Sequence, residues 1–172
     1  MSPVRIIGID PGSRVTGYGC IRSEGNRLRL IDCGVIRANP RAPLPERLQV
    51  LHRSLADLLE RHRPEVAAIE DVFHARNAKA AFQLGQARGV LLLALAGAGL
   101  PIHEFAPTAV KKAVVGYGRA DKGQVATMVQ RLLHLRQPPT PTDATDALGL
   151  AITAAHTLGP LQRIQAALDQ QS

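Results

Sequence analysis

Four carboxylates carry the chemistry legible in this chain: Asp10, Glu70, Asp143 and Asp146. Asp10 ends the apolar run Arg5–Ile9 and is followed at once by Pro11 and Gly12, which force a turn; Glu70 ends the continuously apolar run Val66–Ile69. In the segment TPTDATDALGLAI, Asp143 and Asp146 stand at i and i+3 and so share one face at the start of a helix. Taken singly, each strand-end acid marks where a strand meets water. Acids in a first helical turn offset the helix dipole by about 0.3–1 kcal/mol, with Thr142 as candidate N-cap, so this pair is as compatible with capping as with chemistry. Gathered without an obvious basic partner, however, the four would repel one another unless a multivalent cation sat among them. Oxygen-only ligation suits Mg2+ or Mn2+. Two such ions, roughly 3.5–4 Å apart, can generate a hydroxide and stabilise the leaving oxygen in phosphodiester cleavage.

The elements that must position these acids follow from patterning. Val15–Ser23 and Arg27–Arg37 read as a hairpin through Glu24-Gly25-Asn26, so the chain opens with three strands. Leu44, Leu48, Leu51, Leu55, Leu58 and Leu59 recur at helical spacing up to Pro64, and a fourth strand follows immediately. A second helix is expected over Asn77–Gly97, a fifth strand over Pro101–Phe105, and helices over Thr108–Val115, over Gln124–Leu135 and from Asp143 onward. This order predicts an α/β fold: a mixed five-stranded sheet flanked by helices, with one strand pair antiparallel and the later crossovers parallel. A right-handed crossover through the leucine-rich helix sets the strands ending in Asp10 and Glu70 side by side and parallel. Ligand sites in such sheets lie beyond the carboxyl ends of strands. One domain is expected over residues 1–160, with 161–172 a short polar tail.

The chain has 172 residues and a formal charge of +7, which favours a polyanionic partner. Between Arg76 and Arg136 there are nine basic residues against Glu104 and Asp121, so the whole surplus lies in that stretch. The longest uncharged apolar run, Gly89–Leu100, falls short of the roughly 20 residues of a bilayer span, which argues against a membrane protein. Two cysteines, Cys20 and Cys33, are too few for a disulfide framework, and no long apolar leader precedes Asp10, so a cytoplasmic setting is expected. The six histidines show no ligand spacing, and Phe82 and Phe105 read as packing residues.

Four segments, IIGIDPGSRVTGYG, EDVFHARNAKAAFQLGQARG, AVKKAVVGYGRADKGQV and TDATDALGLAITAAH, occur in an order that resembles the bacterial RuvC-type Holliday junction resolvases, from about Arg5 to His156. The resemblance implies an RNase H-like fold, a homodimer, and divalent-metal-dependent nicking of four-way DNA junctions at symmetric positions. It puts the family's acidic tetrad on Asp10, Glu70, Asp143 and Asp146. The expected mechanism has Asp10 bridging two Mg2+ or Mn2+ ions, the other three acids completing their shells, and products with a 5′-phosphate and a 3′-hydroxyl.

The same resemblance implies that Phe73, in the loop after Glu70, stacks on unpaired junction DNA, and that Lys111 and Lys122 contact phosphates. Arg76, Lys79, Lys112 and Arg119 are further DNA-contact candidates from the basic stretch. A RuvAB-type branch-migration motor is the implied partner. The small-residue stripe Ala81, Gly85, Gly89 packs either on its own sheet or in a two-fold interface. Three rivals remain in view. A strand ending in DPGS also opens actin-like sugar kinases and chaperone ATPases, but those need a second domain. A YqgF-type RNA-processing nuclease shares the fold, and a non-catalytic junction-binding protein would be expected to lack one of the four acids.

Overall fold

The computed structural model describes residues 3–71 and 77–169, with side chains through Gly159. Ten elements follow in the order β1 (Val4–Asp10), β2 (Val15–Glu24), β3 (Arg27–Arg37), α1 (Leu44–His62), β4 (Val66–Glu70), α2 (Ala78–Gly97), β5 (Ile102–Phe105), α3 (Pro107–Val115), α4 (Lys122–Leu132) and α5 (Thr142–Asp169). The strands form one sheet in the order β3-β2-β1-β4-β5. The pairs β1/β4 and β4/β5 are parallel. Both β1/β2 and β2/β3 are antiparallel, so the sheet holds two antiparallel pairs where the sequence suggested one. The turn after Asp10 sends β2 straight back beside β1, and that alone makes the extra pair.

The sheet buries both faces, because alternate residues on its central strands point to opposite sides. Ile7, Ile9, Ala67 and Ile69 pack with Leu51, Leu55, Leu58 and Leu59 of α1 and with Ala87, Leu91 and Leu95 of α2. Ile6, Ile21 and Ala68 pack on the other side with Val110 of α3, Val125 and Val129 of α4, and Leu148 and Ile152 of α5. Ile7, Ile9 and Ile69 are wholly removed from water, a gain of roughly 1.5–3 kcal/mol each.

Several local expectations need correction. Thr142 is the first residue of α5 rather than its cap, and the Pro141 carbonyl accepts from the amides of Ala144 and Thr145. The fourth helix begins at Lys122, capped by a reciprocal pair in which Asp121 accepts from the Gln124 amide and Gln124 accepts from the Asp121 amide; it ends at Leu132, before His134 at φ 53°. Helix α5 continues unbroken through Asp169. Phe105 packs against the α5-side core, but Phe82 is 68% exposed and does not serve the core. Over its whole length α2 is long and apolar enough to cross a membrane, which the run Gly89–Leu100 alone does not reach. It nonetheless carries Lys79 and Arg88 and buries Ala87, Leu91, Ala94 and Leu95 within the fold.

Candidate active site

Asp10 and Glu70 close the two central parallel strands, whose register runs from Ile6–Val66 to Ile9–Ile69. Since Ile7, Ile9 and Ile69 face α1 and α2, the alternate positions Gly8, Asp10, Ala68 and Glu70 face α5. Helix α5 is admitted there by the absence of side chains. A Cβ on Gly8 would stand 2.0 Å from the Ala147 carbonyl oxygen, and one on Gly17, the partner of Asp10 across β1/β2, would stand 2.0 Å from that of Asp143. Helix α5 therefore lies backbone to backbone on β2 at Asp143 and on β1 at Ala147, which carries Asp143 and Asp146 to the strand ends.

The result is a cleft of about 310 Å³ lined by Asp10, Glu70, Asp143, Asp146, Lys111 and Lys122, with Val110, Val125 and Leu150 on its apolar wall. The four acids anticipated from the sequence thus share one cavity with two of the anticipated lysines. Lys122 Nζ lies 3.1 Å from Asp146 Oδ2, so the acids do have a basic partner, contrary to the sequence reading. Its ammonium is held more firmly protonated than usual, first by that hydrogen bond and then by the Asp146 charge. Burial, reinforced by Glu70, Asp146 and Asp143, pushes the Asp10 carboxyl up to about 8, with Lys122 opposing. Burial and Asp146 also raise Glu70. One ammonium therefore does not neutralise the cleft.

That imbalance and the all-oxygen donor set fit a hard divalent cation. Among the described residues no three His, Cys, Asp or Glu side chains stand close enough together to hold an ion as they are, so binding requires the carboxylates to draw together. Among the described residues no histidine lines the cleft.

The remaining candidates divide. Lys79, at the start of α2, Lys112, on α3, and Arg119, between α3 and α4, are exposed outside the cleft. Phe73 and Arg76, with His74, lie outside the described residues. Asp71 follows β4, donates its amide to the Phe105 carbonyl at 2.9 Å, and does not line the cleft.

Two arginines were missed by sequence reasoning. Buried Arg47 of α1 donates through Nε and Nη2 to the Ser13 carbonyl, at 3.2 and 2.7 Å, fixing the loop after Asp10. In the same loop Thr16 Oγ1 donates to the Gly12 carbonyl at 2.8 Å. Arg88 of α2 donates through Nε to the Glu70 carbonyl at 3.1 Å. The signal was available: Arg47 shares the helical face of Leu51 and Leu55, and Arg88 that of Leu91 and Leu95, where a charge needs a buried partner.

The family model described as crossover junction endodeoxyribonuclease RuvC matches residues 6–154. The chain belongs to the RuvC family. A crossover junction endodeoxyribonuclease RuvC from Azorhizobium caulinodans is 50% identical over 165 residues, covering 96% of this chain and 97% of its own. Its counterpart from Pelotomaculum thermopropionicum is 49% identical over 151 residues, covering 88% and 92%. The structure of T. thermophilus RuvC in complex with Holliday junction substrate superposes with a TM-score of 0.86 at 35% identity, over 91% of this chain and 96% of that one. The RNase H-like architecture read from the sequence is that of the RuvC family. The activity is accordingly that of a RuvC endodeoxyribonuclease acting on Holliday junctions in recombination, a metal-dependent phosphodiester hydrolysis.

Proposed function

We propose that the chain resolves four-way DNA junctions by paired, symmetric nicks, using Asp10, Glu70, Asp143 and Asp146 to hold two Mg2+ or Mn2+ ions and leaving a 5′-phosphate and a 3′-hydroxyl. The observation that carries this reading is the meeting of four carboxylates from β1, β4 and α5 in one cleft whose cationic lining, among the described residues, is Lys111 and Lys122. When bound, the ions supply Lewis-acid activation of water and of the scissile phosphate. The protein's own part is to aim the acids and to bind the strand. Lys122 pairs with Asp146 while its side chain remains 75% exposed, so a cation that takes over Asp146 frees this ammonium for a phosphate oxygen. Lys111, in the same cleft, serves a further phosphate, and Lys79, Lys112, Arg119 and Arg76 are the other candidates for phosphate contact. Phe73 stacks on a base opened at the crossover.

Two nicks require two sites, and α2 offers a surface for a second copy. Phe82 and Leu93 are 68% and 64% exposed, and a Cβ on Gly85 or Gly89 would meet nothing within 4 Å. This favours the two-fold interface over packing on the sheet for the small-residue stripe. A cytoplasmic enzyme working with a RuvAB-type motor completes the reading, over a catalytic domain of residues 1–160 whose last helix runs on into the short tail 161–172.

The test is incubation with a synthetic four-way junction, a plain duplex and an RNA hairpin, each with Mg2+ or Mn2+. Symmetric nicks in the junction alone are expected, whereas cleavage of the hairpin supports a YqgF-type activity. Asp10→Asn should abolish cleavage and leave junction binding measurable. Full cleavage by that variant removes Asp10 from the chemistry.

A further inference from the structure

We propose that Arg88 is a positioning residue for the cleft: from α2, on the side of the sheet away from α5, it holds the end of β4 by its backbone and so aims Glu70. The inference rests on the reading of Glu70 as a cation ligand. Glu70 needs such a hold. The β1/β4 ladder ends at Ile9–Ile69, one residue short of it, and on the other side Glu70 and Phe105 are the last pair of β4/β5. One further bond, from the Asp71 amide to the Phe105 carbonyl, ties the strand end to β5, but no β1 partner reaches Glu70, and a strand end with few partners opens locally more easily than its centre.

Arg88 supplies what the ladder lacks. Its Nε donates to the Glu70 carbonyl at 3.1 Å, and its Nη2 pairs with Glu104 of β5. The two bonds are not equivalent. The Arg88 side chain is 19% exposed, whereas Glu104 is 51% exposed, so the ion pair faces water while the carbonyl bond lies on the inner side. An exposed ion pair contributes little, but a charge-assisted bond to a partly buried carbonyl is worth more and has a fixed direction. Glu104 therefore steers the guanidinium, and the carbonyl receives the positioning. The planar fork matters here, because an ammonium can reach Glu104 without reproducing the Nε direction.

The experiment compares Arg88→Lys, Glu104→Gln and Glu70→Gln in the full-length protein. Binding of Mn2+ alone is followed by electron paramagnetic resonance, and junction cleavage and the thermal midpoint in EDTA are recorded alongside. Loss of a group that orients a metal ligand typically costs about 10- to 100-fold in metal affinity, and that is the loss expected for Arg88→Lys, with its EDTA midpoint close to wild type. Glu104→Gln, which keeps the carbonyl bond, should stay within about threefold of wild-type affinity, well below that range. Wild-type affinity in Arg88→Lys overturns the proposal. So does an Arg88→Lys protein that fails to fold, or whose losses in affinity and midpoint match those of Glu104→Gln, since the arginine then only anchors the helix. Glu70→Gln separates the two levels: if it binds Mn2+ like wild type, the reading of Glu70 as a ligand fails first.

Discussion

Burial and three acidic neighbours hold the Asp10 carboxyl at about 8, against 3.8 for an ordinary aspartate. Between those values the metal-free folded protein keeps a proton that the unfolded chain has released, so stability must fall as pH rises through that window. Glu70, also raised, acts in the same direction. We therefore expect the thermal midpoint in EDTA to decline from about pH 4 to about pH 8, and Asp10→Asn to flatten the decline and to exceed wild type at the alkaline end. A wild-type profile that rises over this range contradicts the assigned charge balance. Added Mg2+ should recover most stability where the carboxylates are ionised, because a cation binds the deprotonated cluster. At this scale the sequence was readable where a residue's role follows from its type and the end of its run, as for Asp10 and Glu70. It was not readable for Lys122, whose partner Asp146 lies 24 positions away and on a different helix.

At Gly8 and Gly17 helix α5 meets the sheet without intervening side chains, and those contacts set where Asp143 and Asp146 stand. Gly17→Ala puts a methyl group where the Asp143 carbonyl already is, so α5 must move away from β2. The strain should cost about 1–3 kcal/mol of stability, and a displacement of the helix near 1 Å should cost cleavage on the order of 100-fold. Chemical denaturation and single-turnover cleavage measure the two, and undiminished cleavage in a destabilised variant separates the helix position from the chemistry. Strand and helix identities were legible because continuous apolar runs and leucine spacing specify them locally, as for Val66–Ile69 and for Leu51, Leu55 and Leu58. Other details turn on how neighbouring peptides are satisfied. Thr142 looked like a cap because the Pro141 carbonyl, which takes that place, carries no side-chain signal. Asp121 and Gln124 do carry one, and reading them as a capping box starts α4 at Lys122.

Across the whole molecule the two working surfaces lie on opposite layers: the cleft on the α5 side of the sheet, and the apolar face of α2 on the other. A two-fold contact through α2 would leave both clefts open to DNA. Leu93→Glu places a charge in that contact and should convert dimers to monomers by light scattering, with paired nicking replaced by single nicks; a dimeric variant locates the interface elsewhere. Phe82 read as a packing residue because an aromatic on an apolar helix looks like core until the neighbours are placed. The seating of α5 on Gly8 and Gly17 has a consequence for how such a protein can change over time. At these two points the gap between the carboxylates is measured off by main chain against main chain. A change at Gly8 or Gly17 therefore alters the catalytic spacing directly, whereas core residues remote from α5 are freer to drift in volume.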